Sequence, residues 1–161
     1  MLVAMTSACN RSRPEGTAIV VALTNSPINL DPRVGTDEAS QKAHQLLYNS
    51  LVRIDGNLRI VPELIESDLE QPDPVTYIAR LRRGVHFHNG RELTAEDVVY
   101  TFRSFLDPSF RGRSGAYRQV ASVDAIDRYA VRFTLKAPFG PFPINLVMGI
   151  VQAGSGTANI R

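Results

Sequence analysis

The sequence predicts an α+β domain in which antiparallel hairpins surround one central helix, and three patterns carry that expectation. Residues 76–81 and 85–88 alternate apolar with polar side chains and run into Asn89-Gly90. Period-two alternation ending in a dipeptide that tolerates positive φ marks a strand entering a tight turn. Thr94 then stands where an N-cap belongs, its hydroxyl placed to accept from the amide of Asp97, while Glu96 and Asp97 bring negative charge to the positive end of a helix. Val98, Phe102 and Phe105 follow at helical spacing, widened by Val99 and Leu106, so the helix over 95–106 is expected to bury this stripe. The third pattern is a hairpin, residues 120–125 with 130–135, turning at Asp127-Arg128-Tyr129.

Residues 17–23 are a short, nearly continuous apolar run, suited to a strand buried on both faces. Pro27 and Pro32 push their predecessors out of the helical region, so 25–32 reads as turn and extended loop. Asp37 is expected to cap a helix over 38–49, with Ala43, Leu47, Ser50 and Leu51 on its buried side and Leu46 adjoining. Residues 51–54 and 58–61 flank Asp55-Gly56-Asn57, a second hairpin. Residues 64–69 read as an irregular connector, and Pro72 and Pro74 argue against a ladder there. Strand 76–81 is expected to pair back with 85–88. The central helix stops before Asp107-Pro108, and a polar loop rich in Arg and Gly fills 109–118. No internal repeat or membrane-length apolar run interrupts this order.

Composition excludes more than it suggests. With 161 residues there is length for one domain with a buried core, and a net charge of +2 from 18 basic and 16 acidic side chains names no partner. Arg80, Arg82 and Arg83 are expected on a solvated sheet face, away from Ile78, Leu81 and Val85, and no aromatic residues interleave with them as single-stranded nucleic acid would require. His86 and His88 share a strand face, a geometry open to two metal ligands, but a third ligand is missing nearby and no metal is expected. Glu96 and Asp97 point about 100° apart on a helix, which suits the helix terminus better than an acid–base pair. Ser40, Asp37 and His44 imitate a hydrolase constellation without a nucleophile elbow or oxyanion loop. No catalytic residue and no cofactor is expected, and a small hydrolase is the least favoured function.

Several motifs recur in order along the chain: Asn29-Leu30-Asp31-Pro32, the YNSLVRID stretch of 48–55, the segment 62–67, the turn-and-capped-helix region from Arg80, and the pair 123–135 and 138–142. Together they resemble the signature of the family 5 extracellular solute-binding proteins, the periplasmic binding components of peptide and nickel ABC importers. Asp68 stands where the family usually has Trp, and Ala130 where it usually has Thr. The resemblance implies the first lobe of a class II periplasmic-binding-protein fold. Residues 17–50 would be its first strand and helix and 51–148 an α+β subdomain, between a truncated lipoprotein signal and linker at 1–16 and a disordered or aberrant tail at 149–161, whose Gly and Ser content carries no apolar period. It further implies capture of a peptide or other small solute in an interlobe cleft and delivery to an ABC permease, without covalent chemistry. Thr24, Asn25, Ser26, Gly35, Thr36, Asp37 and Ser40 are placed by resemblance along the cleft edge. Asp37 is either a partner for a ligand amino group or simply the helix cap.

Family members are much longer, so the chain is expected to be the product of a truncated or frameshifted frame, or else a self-sufficient short domain. An autonomous interaction or accessory domain is the other function class open to it. On the truncation reading, it would fold over 51–135, hold residues 17–23 poorly, and bind peptide weakly on its own. Thr6-Ser7-Ala8-Cys9 resembles a lipobox, and Cys9 is the only cysteine, so no intrachain disulfide can form. Residues 1–8 lack the basic n-region of a signal. A periplasmic or cell-surface lipoprotein is expected if the signal is completed upstream, and a cytoplasmic product if translation begins as written. The expected partners are therefore a solute and a membrane permease, with no nucleic acid, and membrane association only through a lipid at Cys9.

Overall fold

The computed structural model describes residues 20–156. Elements follow in the order α1 (Glu38–Leu47), β1 (Val52–Ile54), β2 (Ile60–Pro62), β3 (Glu70–Asp73), β4 (Thr76–Arg80), α2 (Ala95–Ser104), β5 (Val120–Asp127) and β6 (Ala130–Leu135). Short 3-10 turns occupy Ser114–Tyr117 and Phe142–Leu146. The order β3-β4-β6-β5 builds one four-stranded antiparallel sheet, and β1-β2 forms a separate hairpin. The chain is α+β.

Alternation decides which face of the sheet is buried. Tyr77 lies opposite Phe133, which lies opposite Val123, and Ala79 opposite Val131. All five are at most 4% exposed, and α2 lies across this face. Phe102 meets Phe133 edge-on at 5.1 Å and Tyr117 at 5.7 Å, and Phe105 stacks on Tyr117 at 4.2 Å. Such offset and edge-to-face pairs follow from the ring quadrupole. Phe142 closes the other end of the core against Tyr77 at 5.0 Å and Phe133 at 5.7 Å. Val98, Phe102 and Phe105 are buried, with Val99 and Leu106 partly so, as the stripe requires. Thr94 is the N-cap of α2, and its amide donates to Oδ2 of Asp97 at 2.9 Å, one arm of a capping box.

Six expectations need correction. Strand β4 does not pair with 85–88. Gly84, at φ +69°, turns the chain away, and 85–88 folds onto 91–93 instead, with Phe87 donating to the Arg91 carbonyl and Leu93 to that of Val85. The partners of β4 are β3 and β6. Strand β3 forms despite Pro72, because it is an edge strand with an irregular register and a missing N–H can face outward. Ile78 shares the outer face with Arg80, being two residues from it; Tyr77, Ala79 and Leu81 are the buried members. Helix α1 ends at Leu47 and buries Ala39, Ser40, Ala43 and His44, while Leu46 and Leu47 are 64% and 42% exposed, so its inner face is small and polar. Residues 20–23 form no strand, and Val20 and Val21 are exposed, since among the described residues no neighbouring strand offers them a ladder. Residues 149–156 are not a disordered tail, because Ile150 and Val151 are buried and their amides donate to the Asn49 carbonyl and the Thr101 hydroxyl. The remainder of the 17–23 run and the segments 1–16 and 157–161 lie outside the described residues.

The other expected hairpins form. Residues β1 and β2 pair around the Asp55 turn, and β5 and β6 around Arg128. Connector 63–66 runs beside the end of β4, where Ile65 bridges Leu81 and the Arg82 amide donates to the Leu64 carbonyl at 2.8 Å.

Candidate functional site

The residues leading into α1 form a densely bonded polar loop. Ser40, fully buried, accepts at Oγ from the amides of Ile28 (3.0 Å) and Asn29 (3.1 Å), and its own amide donates to Oδ1 of Asp37 at 2.9 Å. His44, one turn further along the same face, donates from Nε2 to the Asn29 carbonyl at 2.9 Å. Gly35 is required where these strands of chain meet, because a Cβ there would stand 2.5 Å from the Asn29 carbonyl oxygen and 2.9 Å from the His44 ring. The hydrogen bonds from Ser40 hold the Asp37 carboxyl below the usual carboxylate range.

Arg33 anchors this loop to the rest of the molecule. It is 1% exposed, with Nε 3.0 Å from Oδ1 of Asp31 and Nη2 2.6 Å from Oδ2. Its guanidinium lies over Tyr100 of α2 at 5.2 Å and over Phe110 at 5.6 Å, and Nη2 also donates to the Gly156 carbonyl. Burial, the largest single influence, lowers the guanidinium pKa, but the Asp31 carboxylate and the Tyr100 hydroxyl together outweigh it and the net shift is upward. Gly112 leaves room for this junction: a Cβ would lie 2.5 Å from the Arg33 carbonyl, which accepts from the Arg113 amide.

The C-terminal end of α1, the 85–89 turn and the 150–156 segment enclose a cleft of about 350 Å³. Its walls are tied together. Ile150 donates to the Asn49 carbonyl at 3.0 Å, Val151 to the Thr101 hydroxyl at 3.1 Å, and Ala153 to the buried Asp97 carboxylate at 2.8 Å. Asp97 also pairs with Arg91 and receives the Thr94 amide, so this carboxylate is committed to structure.

The seven edge residues separate into two groups. Gly35, Asp37 and Ser40 are drawn together on the loop and the first turn of α1, while Thr24, Asn25, Ser26 and Thr36 stand on the exposed surface. None of the seven lines the 350 Å³ cleft, which takes Asp31 from the same loop. Arg33 and its two aromatic neighbours were not legible as a unit, since Tyr100 and Phe110 lie far along the chain; only the Asp31–Arg33 spacing offered a signal. His86 and His88 both face the cleft, and among the described residues no three His, Cys, Asp or Glu side chains gather as a metal site. Ser40 and His44 do not form a nucleophile–base pair, because Ser40 Oγ accepts two amides and His44 is spent on a carbonyl. Among the described residues no helix is long and apolar enough to cross a membrane.

Comparison with known proteins agrees with this architecture. The profile described as bacterial extracellular solute-binding proteins, family 5 Middle, matches residues 59–155. The oligopeptide-binding protein AppA of Bacillus subtilis is 34% identical over 129 residues, covering 80% of this chain and 24% of AppA. The glutathione-binding protein GsiB of Escherichia coli K12 is 32% identical over 130 residues, again 80% of this chain and 25% of the relative. The chain thus spans about a quarter of the length of these curated relatives. The structure of B. subtilis AppA in complex with a nonapeptide superposes with a TM-score of 0.73 at 32% identity, over 80% of this chain and 26% of that one. The substrate-binding protein CtaP of Listeria monocytogenes gives 0.74 at 28% identity, over 86% and 29%. The chain belongs to the bacterial extracellular solute-binding proteins of family 5.

Proposed function

We propose that the chain contributes to capture of a peptide or related small solute for an ABC importer, with residues 24–40 forming part of one wall of an interlobe cleft. The observation that carries this reading is the anchoring of that stretch. Ser40 and His44 hold the backbone at 28–29 and the buried Asp31–Arg33 pair fixes the turn that follows, leaving Thr24, Asn25, Ser26 and Thr36 at the surface. An edge ordered in advance loses little further entropy when a solute arrives. Its named relatives AppA and GsiB bind oligopeptide and glutathione, which favours the same class of solute here. A second lobe closing over this wall would complete the burial and present the closed form to a membrane permease. Cys9, outside the described residues, serves in this reading as a lipid anchor for a periplasmic or cell-surface protein. An upstream-extended form should incorporate labelled fatty acid, and Cys9→Ser should abolish it; equal labelling of both would remove the anchor.

Calorimetric titration of the 161-residue chain with mixed di- to pentapeptides and with glutathione tests the shared-cleft reading. One wall leaves most of a ligand in water, so no saturation is expected below about millimolar concentration. Saturable micromolar binding would instead identify a self-sufficient site and overturn it.

A further inference from the structure

The cleft between α1 and the 85–89 turn has its own chemical character. Leu93, Ile150 and Val151 are 3–5% exposed and form an apolar floor, with the Tyr48 ring beside them. Asn89 Nδ2 donates to Gln152 Oε1 at 2.8 Å, so a pair of neutral carboxamides spans from one wall to the other. Among the described residues, Asp31 is the sole carboxylate on the lining and no Lys or Arg lines it. That carboxylate is already neutralised from behind, since Oδ1 takes the Arg33 amide and Nε and Oδ2 takes Nη2.

We propose that this cleft is a subsite for an uncharged, apolar group about the size of an aromatic side chain, its neutrality set by the Asp31–Arg33 pair. An ammonium group entering here would compete with a guanidinium held in place by the chain itself, and would lose its hydration for no new ion pair. A carboxylate would approach the Asp31 oxygens and the C-terminal, negative end of α1. Only a neutral group avoids both costs while covering the apolar floor. The volume, about 350 Å³, lies at the low end of the roughly 300–1,000 Å³ range of ligand pockets, enough for one ring system but not for a whole peptide. The subsite rests on the solute-binding reading for the nature of its occupant, as one side chain of a larger solute.

Three indoles of matched shape test it on the full chain at about pH 8, where free imidazole is neutral. They are N-acetyltryptophanamide (neutral), tryptamine (cationic) and indole-3-acetate (anionic). Amide chemical shifts at 85–89 and 150–156 should move saturably with the neutral compound in the millimolar range, and the charged ones should bind about tenfold more weakly or worse. Leu47, 42% exposed at the last position of α1, lines the cleft, so Leu47→Lys introduces a cation where a helix C-terminus tolerates one. It should weaken the neutral indole by about tenfold or more while sheet amides stay unmoved. Absence of saturable shifts at these amides, equal response to all three indoles, or indifference to Leu47→Lys would overturn the proposal. Peptide or glutathione binding that leaves these amides unmoved would remove the subsite and spare the solute-binding reading.

Discussion

Truncating Phe102 to alanine should be among the most damaging single changes in the molecule. The ring is 2% exposed and touches Phe105, Tyr117 and Phe133 at centroid distances of 6.3, 5.7 and 5.1 Å. It joins α2 to both the sheet and the 109–118 loop. A cavity walled by three rigid rings collapses poorly, so the upper part of the usual Phe→Ala range applies, about 4–5 kcal/mol. With a urea m-value of about 2 kcal/mol/M, the midpoint should fall by about 2 M. Arg103→Ala is not a neutral comparison, because Arg103 Nε donates to the Val123 carbonyl at 2.8 Å and Nη2 reaches Asp124 at 2.7 Å. Glu96→Gln, exposed in the first turn of α2, is the better one and should cost no more than about 1 kcal/mol. Equilibrium urea unfolding followed by circular dichroism measures both. Equal midpoints for Phe102→Ala and Glu96→Gln would refute the placement of the helix stripe.

Other consequences follow from single contacts. Gly35→Ala forces a Cβ to within 2.5 Å of a backbone oxygen and should destabilise by about 1–3 kcal/mol, read as faster amide exchange through α1 before the sheet; unchanged exchange would show that the loop yields freely. Asp68 borders an apolar groove of about 180 Å³ lined by Val52, Ile60, Ile65, Leu69 and Pro143. Asp68→Trp should therefore stabilise by about 1–2 kcal/mol for a half-buried ring and raise the urea midpoint, and a lowered midpoint would mean the groove does not accept it. The carboxyls of Glu92, Asp124 and Asp37 are held low by hydrogen bonds, first from Arg128, Ser122 and Ser40 respectively. Lower folded than unfolded pKa means the unfolded chain binds more protons in acid. Their contribution is complete above the unfolded carboxylate range of about 4 and is lost as pH falls through the folded values. Urea midpoints should be level from about pH 6 to 8 and drop below about pH 4; a rise in acid would contradict the sign.

Elements whose signal is local were legible in the sequence. The α2 cap and stripe need only positions 94–106, and the β5–β6 hairpin needs only its own turn. Pairings decided by distant chain were not. Strand β4 prefers β6, more than fifty residues downstream by the Tyr77–Phe133 register, over the adjacent 85–88 segment that alternates equally well. Helix α1 presented leucines at helical spacing, yet Ala39, Ser40, Ala43 and His44 are inside, because that face serves a polar loop. The family motifs located the loop at Asn29–Asp31 but not its anchor. Arg33 acquires its meaning from Tyr100, Phe110 and Gly156, none of which is near it in sequence.

If residues 24–40 form one wall of a family 5 solute cleft, as proposed above, they should work inside a cleft whose remaining parts come from a relative. Replacing the aligned segment of B. subtilis AppA with residues 20–156 and titrating the nonapeptide by calorimetry isolates this wall, because every other part of the cleft is then supplied by a protein whose structure holds that ligand. Saturable binding within about tenfold of the parent is expected, weakened when the exposed Thr36 is replaced by arginine. A chimera that folds cooperatively yet gives no binding heat, or one indifferent to Thr36→Arg, would contradict it.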